Sequence, residues 1–252
     1  MPIAIKTAFA AALAASALLA GSLARAADVP VAVAANFTEP VKEIAAAFTA
    51  RTGDHVVFSF GSSGQFYTQI TQGAPFEVFL SADADRPERV EREGLGVPGT
   101  RFTYAIGKLV LYSRTPGLVD EGGSVLAHGQ FDKIAIADPT AAPYGVAAIQ
   151  TMTKLGVYAR LQPKIVKGSS ITQAYQFVQS GAAEVGFVAL SQVIDEPGGS
   201  RWQVPESDHA PIAQQAILLW KGDKDKAARA FLAFLRSPEA LAIIRRYGYE
   251  VH

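Results

Sequence analysis

Four short segments combine small and hydroxylic residues at places where a strand is expected to give way to a helix. They are Ala34-Ala35-Asn36-Phe37, Gly61-Ser62-Ser63-Gly64, Ala142-Pro143-Tyr144-Gly145 and Gly168-Ser169-Ser170-Ile171. The first turn of a helix has backbone N–H groups without intrahelical partners and carries the positive end of the helix dipole, so such a junction suits an anion. In an open α/β sheet these junctions gather beyond the carboxyl ends of the strands. Converging there, they would hold an anion with neutral donors alone. Hydrogen bonds to a charged oxygen are stronger than neutral ones, and with no fixed opposite charge to be pulled away the anion can leave again, as a carrier requires. Each junction also has a purely structural reading. Asn36 with Glu39 and Ser170 with Gln173 have capping-box spacing, the glycines around Ser62 and Ser63 permit a tight turn, and Tyr144 beside Pro143 is a candidate core aromatic.

Catalytic chemistry has weaker support. The serine segment lacks the G-x-S-x-G spacing of a nucleophile elbow, and no residue completes a triad. A secreted hydrolase acting through Ser62 or Ser63 would need a general base within hydrogen-bond reach. His55, His128, His209 and His252 are scattered, without metal-ligand spacing. Asp83 and Asp85 form an acidic pair, yet they run into Arg86-Pro87-Glu88-Arg89 and read as a solvated helix start. Lys221 to Lys226 alternates with aspartates and reads as exposed surface. No metal and no cofactor are expected.

The elements that must position these junctions alternate along the chain. Short β-branched or apolar runs at 31–35, 56–60, 78–81, 109–113, 134–137, 185–189 and 216–220 read as strands between amphipathic stretches, which favours an α/β fold with mostly parallel strands. Val41, Ile44, Ala45 and Phe48 share one helical face, with Gly53 where a C-cap belongs. Further helices are expected from near Ser63, Tyr144 and Ile171, over 225–236, and from Ser237, an N-cap with Pro238 at the first helical position, to Gly248.

At the N-terminus Lys6 precedes an apolar run from Ala8 to Leu23 and the triplet Ala24-Arg25-Ala26, the pattern of a secretory signal peptide over residues 1–26, cleaved near Ala26. The expected location is the periplasm. The sequence has no cysteine, which excludes disulfides and a lipid anchor on cysteine. With 23 basic and 23 acidic side chains, a nearly neutral surface argues against a nucleic-acid partner.

Together these segments resemble the periplasmic molybdate-binding proteins of ABC importers over essentially the whole mature length. QGAPFEVFLSAD, from Gln72 to Asp83, is similar to the family's G-A-P-x-D-x-F-x-S-A-D segment, with Glu77 in place of the usual aspartate. VAANFTEPVKEIA from Val33, SFGSSG from Ser59, IADPTAAPYG from Ile136 and the late RYGYEV support it. The resemblance implies a two-lobed type II periplasmic binding protein, each lobe a small mostly parallel sheet flanked by helices, with two crossover strands as hinge near 105–114 and 215–222. Lobe one would be discontinuous, 27–105 plus 216–252, and lobe two 106–215. The ligand implied is molybdate or tungstate, and the partner is the membrane permease of an ABC importer, served by a monomer. Carried over by position, the anion contacts fall on Asn36, Ser63, Tyr144 and Ile171, with Ala35, Phe37 and Ser62 as additional candidates. Both backbone N–H groups and the side chains of Asn36, Ser63 and Tyr144 are expected to donate. A tyrosine that some members carry in lobe two is replaced by Ala189, and Tyr144 is the candidate substitute. Sulfate or a small organic anion in the same fold is the alternative ligand.

Overall fold

The computed structural model describes residues 28–129 and 131–251; the expected signal segment lies outside the described residues. In chain order the strands are β1 (Asp28–Ala34), β2 (His55–Gly61), β3 (Val78–Leu80), β4 (Phe102–Gly107), β5 (Leu109–Ser113), β6 (Ile134–Ala137), β7 (Ile165–Gly168), β8 (Val185–Ala189), β9 (Ser200–Gln203) and β10 (Ile212–Leu218). The helices are α1 (Thr38–Thr52), α2 (Ser63–Thr71), α3 (Asp85–Arg92), α4 (Val125–His128), α5 (Pro143–Lys154), α6 (Tyr158–Leu161), α7 (Ile171–Gln179), α8 (Leu190–Val193), α9 (Lys226–Phe234) and α10 (Pro238–Arg246).

The strands form two five-stranded sheets, ordered β2-β1-β3-β10-β4 and β7-β6-β8-β5-β9. In each sheet a single strand, β10 or β5, runs against the other four. This is the expected two-lobed, mostly parallel α/β architecture. β5 and β8 are buried along their whole length, which is why they read as unbroken apolar runs: strands covered on both faces have no polar side to show. α1 turns Val41, Ile44, Ala45 and Phe48 inward and stops at Gly53, whose φ of 79° lets its N–H reach the Thr49 carbonyl. One apolar cluster fills the second lobe, and two cover the faces of the first sheet.

The chain passes between the sheets twice, at Lys108 and within residues 204–211. The second passage comes earlier than the expected 215–222. Gln214 and Gln215 already pair with Ala105 and Thr103 in the first sheet, so that sheet regains the chain at Ile212 rather than at Ala216. Gln214 is fully buried despite its polarity, which hid the start of β10 from a hydropathy reading. Lys108, 9% exposed, ties the two passages together by pairing with Glu206 of the second one and with Glu250 of the C-terminal segment.

Away from the cleft, Glu77 faces Asp225, whose carboxylate caps α9 by accepting from the amides of Ala227 and Ala228 at 2.7 and 3.3 Å. Glu77 Oε2 is buried without a hydrogen-bond partner. Burial first, and the Asp225 charge second, push its carboxyl up to about 7 from an ordinary 4.5. The folded state therefore keeps a proton that the unfolded chain loses above 4.5. Stability is full below that value and falls as pH rises through 7. Glu77→Gln is expected to remove this fall, by about 1 kcal/mol after allowance for partial solvent screening. Thermal melts of both proteins at about pH 5 and about pH 8 check it; equal falls in the two would clear Glu77 of the effect.

Candidate functional site

Each expected junction is built by local rules. Ser62 is the N-cap of α2: its Oγ accepts from the Gln65 amide at 3.4 Å while the Gln65 side chain accepts from the Ser62 amide at 3.2 Å. This reciprocal box sets Ser63 at the first helical position. Ser63 Oγ accepts from the Ala82 amide at 2.9 Å, which leaves its own proton to be donated. Pro143 opens α5 and Tyr144 follows. Ser170 caps α7 by accepting from the Gln173 amide at 3.3 Å, and Ile171 comes next. The first junction is a 3-10 turn over Ala35–Phe37 that runs into α1.

The fold brings all four junctions to one small cavity between the lobes. Ala35, Asn36, Ser62 and Ser63 line it from the first lobe, and Tyr144 and Ile171 from the second, with Ala82, Ala142 and Pro143 between them. Its free volume is about 10 Å³, no more than a single water needs. No charged side chain lines it. Its lining residues stand mostly at helix starts and include two serines, so first-turn N–H groups and hydroxyls are the donors at hand for an anion. A larger groove of about 280 Å³ adjoins it but carries Asp83, Asp85 and Arg86 on its walls, a less favourable lining for a dianion.

Several side chains expected at the ligand are turned elsewhere. The Asn36 amide donates to Gln214 Oε1 at 2.8 Å and to Tyr249 Oη at 3.0 Å, which uses both of its protons. The Tyr144 hydroxyl accepts from Gln214 Nε2 at 3.3 Å. Asn36 and Tyr144 both line the cavity, with the Asn36 amide protons held by partners of the first lobe. Ala189 is buried and absent from the cavity wall. Phe37, the other additional candidate, is a core residue: its ring packs edge-on against Tyr104 and Tyr249, with centroids 4.8 and 5.4 Å away. The Asn36–Glu39 capping box does not form, since Phe37 is the N-cap of α1 and Glu39 pairs with Lys42 at 2.8 Å. The reciprocal box forms at Ser62 and Gln65; at Ser170 the cap forms but the Gln173 side chain accepts from the Ser169 amide at 2.6 Å.

The lobes are drawn together over the cavity. The Gly64 amide donates to the Ala141 carbonyl at 2.9 Å, Arg86 Nη2 to the Thr140 carbonyl at 3.2 Å and Ser191 Oγ to the Asn36 carbonyl at 2.9 Å. Arg86 is itself held by Asp83. Asp83 is thus spent on a lobe-to-lobe contact, not on a cation, and among the described residues no acidic or histidine cluster could hold a metal ion. No histidine lines the cavity beside Ser62 or Ser63, which leaves a nucleophilic serine there without a histidine base.

Comparison with known proteins identifies the family. The model of the family described as bacterial extracellular solute-binding protein matches residues 29–250. The chain is 61% identical over 226 residues to the molybdate-binding protein ModA of Rhodobacter capsulatus, covering 90% of this chain and 89% of that one. It is 53% identical over 229 residues to ModA of Azotobacter vinelandii, covering 90% and 91%. Among solved structures, the periplasmic molybdate-binding protein of Azotobacter vinelandii superposes with a TM-score of 0.85 at 45% identity, covering 89% of this chain and 99% of that one. The sulfate-binding protein SubI of Mycobacterium tuberculosis shares the fold, with a TM-score of 0.73 at 14% identity. The chain belongs to the bacterial extracellular solute-binding proteins and, within them, to the family of the molybdate-binding proteins.

Proposed function

We propose that the cavity captures molybdate, and tungstate with it, and that the protein delivers the anion to the permease of an ABC importer. The observation that carries this reading is a wall of neutral donors with no charged side chain. The backbone amides of Asn36, Ser63, Tyr144 and Ile171 and the Ser63 hydroxyl replace the anion's hydration shell, and Ser62 and Ala35 complete the wall. Closure of the lobes excludes water and strengthens those bonds. The units that close are the lobes on either side of the two passages, the first made of both ends of the chain. A donor-only wall favours a fully deprotonated tetrahedral dianion, because a protonated phosphate brings a hydrogen that needs an acceptor. The compact space speaks against a small organic anion, and sulfate is separated by size of fit. The protein carries out no reaction on its cargo. Its place is the periplasm, reached through removal of residues 1–26, and it works as a monomer.

Crystals grown with molybdate test the contacts directly through the anomalous signal of molybdenum. The anion is expected within hydrogen-bond reach of the amides at Asn36, Ser63, Tyr144 and Ile171. An anion seated in the neighbouring groove, or against an arginine, would overturn the assignment.

A further inference from the structure

Anion binding alone does not explain the buried polar residues beneath the cavity. Gln214, on β10, is fully buried. Its Oε1 accepts from Asn36 Nδ2 at 2.8 Å and from the Tyr104 hydroxyl at 3.0 Å, and its Nε2 donates to the Tyr144 hydroxyl at 3.3 Å. Around it, the Tyr249 hydroxyl stands 2.7 Å from the Asn36 carbonyl and 2.9 Å from Ser191 Oγ. Asn36, Tyr104, Gln214 and Tyr249 belong with the first sheet and Tyr144 and Ser191 with the second. The bonds from Gln214 to Tyr144 and from Ser191 to Asn36 therefore cross between the lobes, and both end on residues that line the cavity.

We infer that Gln214 is the positioning residue that couples lobe closure to the oxyanion site. A carboxamide suits the place because its two ends differ. The first lobe presents two donors, which need an acceptor, while Tyr144 of the second lobe is met by a donor. When the lobes part, the Tyr144 oxygen and the Gln214 N–H lose each other to water, and the α5 amide terminus leaves the site with them. The hinge keeps room for this contact: a Cβ on Gly107 would stand 2.2 Å from the Tyr144 hydroxyl and 2.7 Å from Gln214 Nε2. A buried polar network that is fully satisfied in one state specifies that state, which here is the closed one.

The inference rests on the oxyanion reading, and Gln214→Glu tests it. The substitution keeps an acceptor for Asn36 and Tyr104, but when ionised it can meet Tyr144 only by accepting that hydroxyl's own proton, and it sets a negative charge beneath the anion. When protonated it regains a donor. The titratable groups facing this position are Tyr104 of β4, Tyr144 of α5 and Tyr249 of the C-terminal segment, with Asp83 beyond Tyr104. Burial holds all three tyrosines above their ordinary value, so none of them titrates between about pH 5.5 and about pH 8.5. Molybdate affinity measured across that range is expected to be flat in the natural protein. In Gln214→Glu it is expected to be at least about tenfold weaker at the alkaline end and to recover toward the acid end. Gln214→Leu is expected to be weak at every pH. A Gln214→Glu protein within about twofold of the natural one throughout, or one whose loss ignores pH, would overturn the inference. Thermal melts show whether each variant is folded, and Ser191→Ala serves if they are not. It removes the two crossing bonds made by Ser191, to the Asn36 carbonyl and with the Tyr249 hydroxyl, and molybdate is expected to dissociate at least about threefold faster; an unchanged rate counts against the coupling.

Closure can also be read without ligand. The chain has no cysteine, so Thr71→Cys and Leu155→Cys place one spin label on each lobe. Gln214→Glu is expected to lower the closed fraction of the ligand-free protein, and an unchanged distance distribution sinks the coupling. A natural protein that ignores molybdate sinks the oxyanion reading instead.

Discussion

Ser63→Ala is expected to weaken oxyanion binding by roughly 10- to 150-fold, the loss of about 1.5–3 kcal/mol that accompanies removal of one hydrogen bond to a charged group. The expectation is specific because the Ser63 oxygen already accepts from the Ala82 amide at 2.9 Å, so its hydroxyl proton points to a different partner. Its neighbour provides the control. Ser62 faces the same cavity, but its oxygen caps α2, and Ser62→Ala is expected to cost about 1 kcal/mol of stability with a smaller change in affinity. Calorimetric titration and thermal melts of the two variants separate these outcomes. Unchanged affinity in Ser63→Ala would remove Ser63 from the site.

The second large effect concerns two glycines that the same substitution should affect in opposite ways. A Cβ on Gly64 would stand 2.9 Å from the Ala141 Cα and 3.0 Å from its carbonyl oxygen. That contact lies between lobes, so parting them relieves it: Gly64→Ala is expected to melt near the natural protein and to bind at least about tenfold more weakly. A Cβ on Gly145 would stand 2.1 Å from the Ala137 oxygen and 2.9 Å from the Pro139 nitrogen. Both are backbone of the same lobe, and only a shift of α5 against β6 makes room. Gly145→Ala is expected to lose about 3 kcal/mol or more of stability, the upper range for overpacking, because no flexible side chain can give way. Denaturant titration and binding measurements on both proteins test the contrast. A Gly64→Ala protein with full affinity would show that the lobes need not close this tightly.

Much of this was legible in the sequence, for identifiable reasons. α1 announced itself through one apolar face and a glycine stop, and β5 and β8 through unbroken apolar runs, because burial on both faces leaves that mark. The four junctions were legible because each puts serine, proline or small residues where a strand gives way to a helix. β4, β7 and β9 were not found. β9, Ser200–Gln203, buries only Trp202, so it has neither a run nor an alternation to show. The network beneath the cavity was out of reach for another reason: Asn36 meets Gln214 across 178 residues and Tyr249 across 213. Sequence spacing carries no trace of such contacts, and Asn36 beside a helix start looks like a cap. The available signal was a buried-side glutamine in β10 and a tyrosine in RYGYEV, each polar where an apolar residue would be ordinary.

The central claim is that neutral donors select a compact, fully deprotonated oxyanion. Isothermal titration of the ligand-stripped mature protein with molybdate, tungstate, sulfate and phosphate in turn tests it most directly. Tight binding of molybdate and tungstate, with sulfate and phosphate silent, is the expected result. Silence toward both molybdate and tungstate would contradict it.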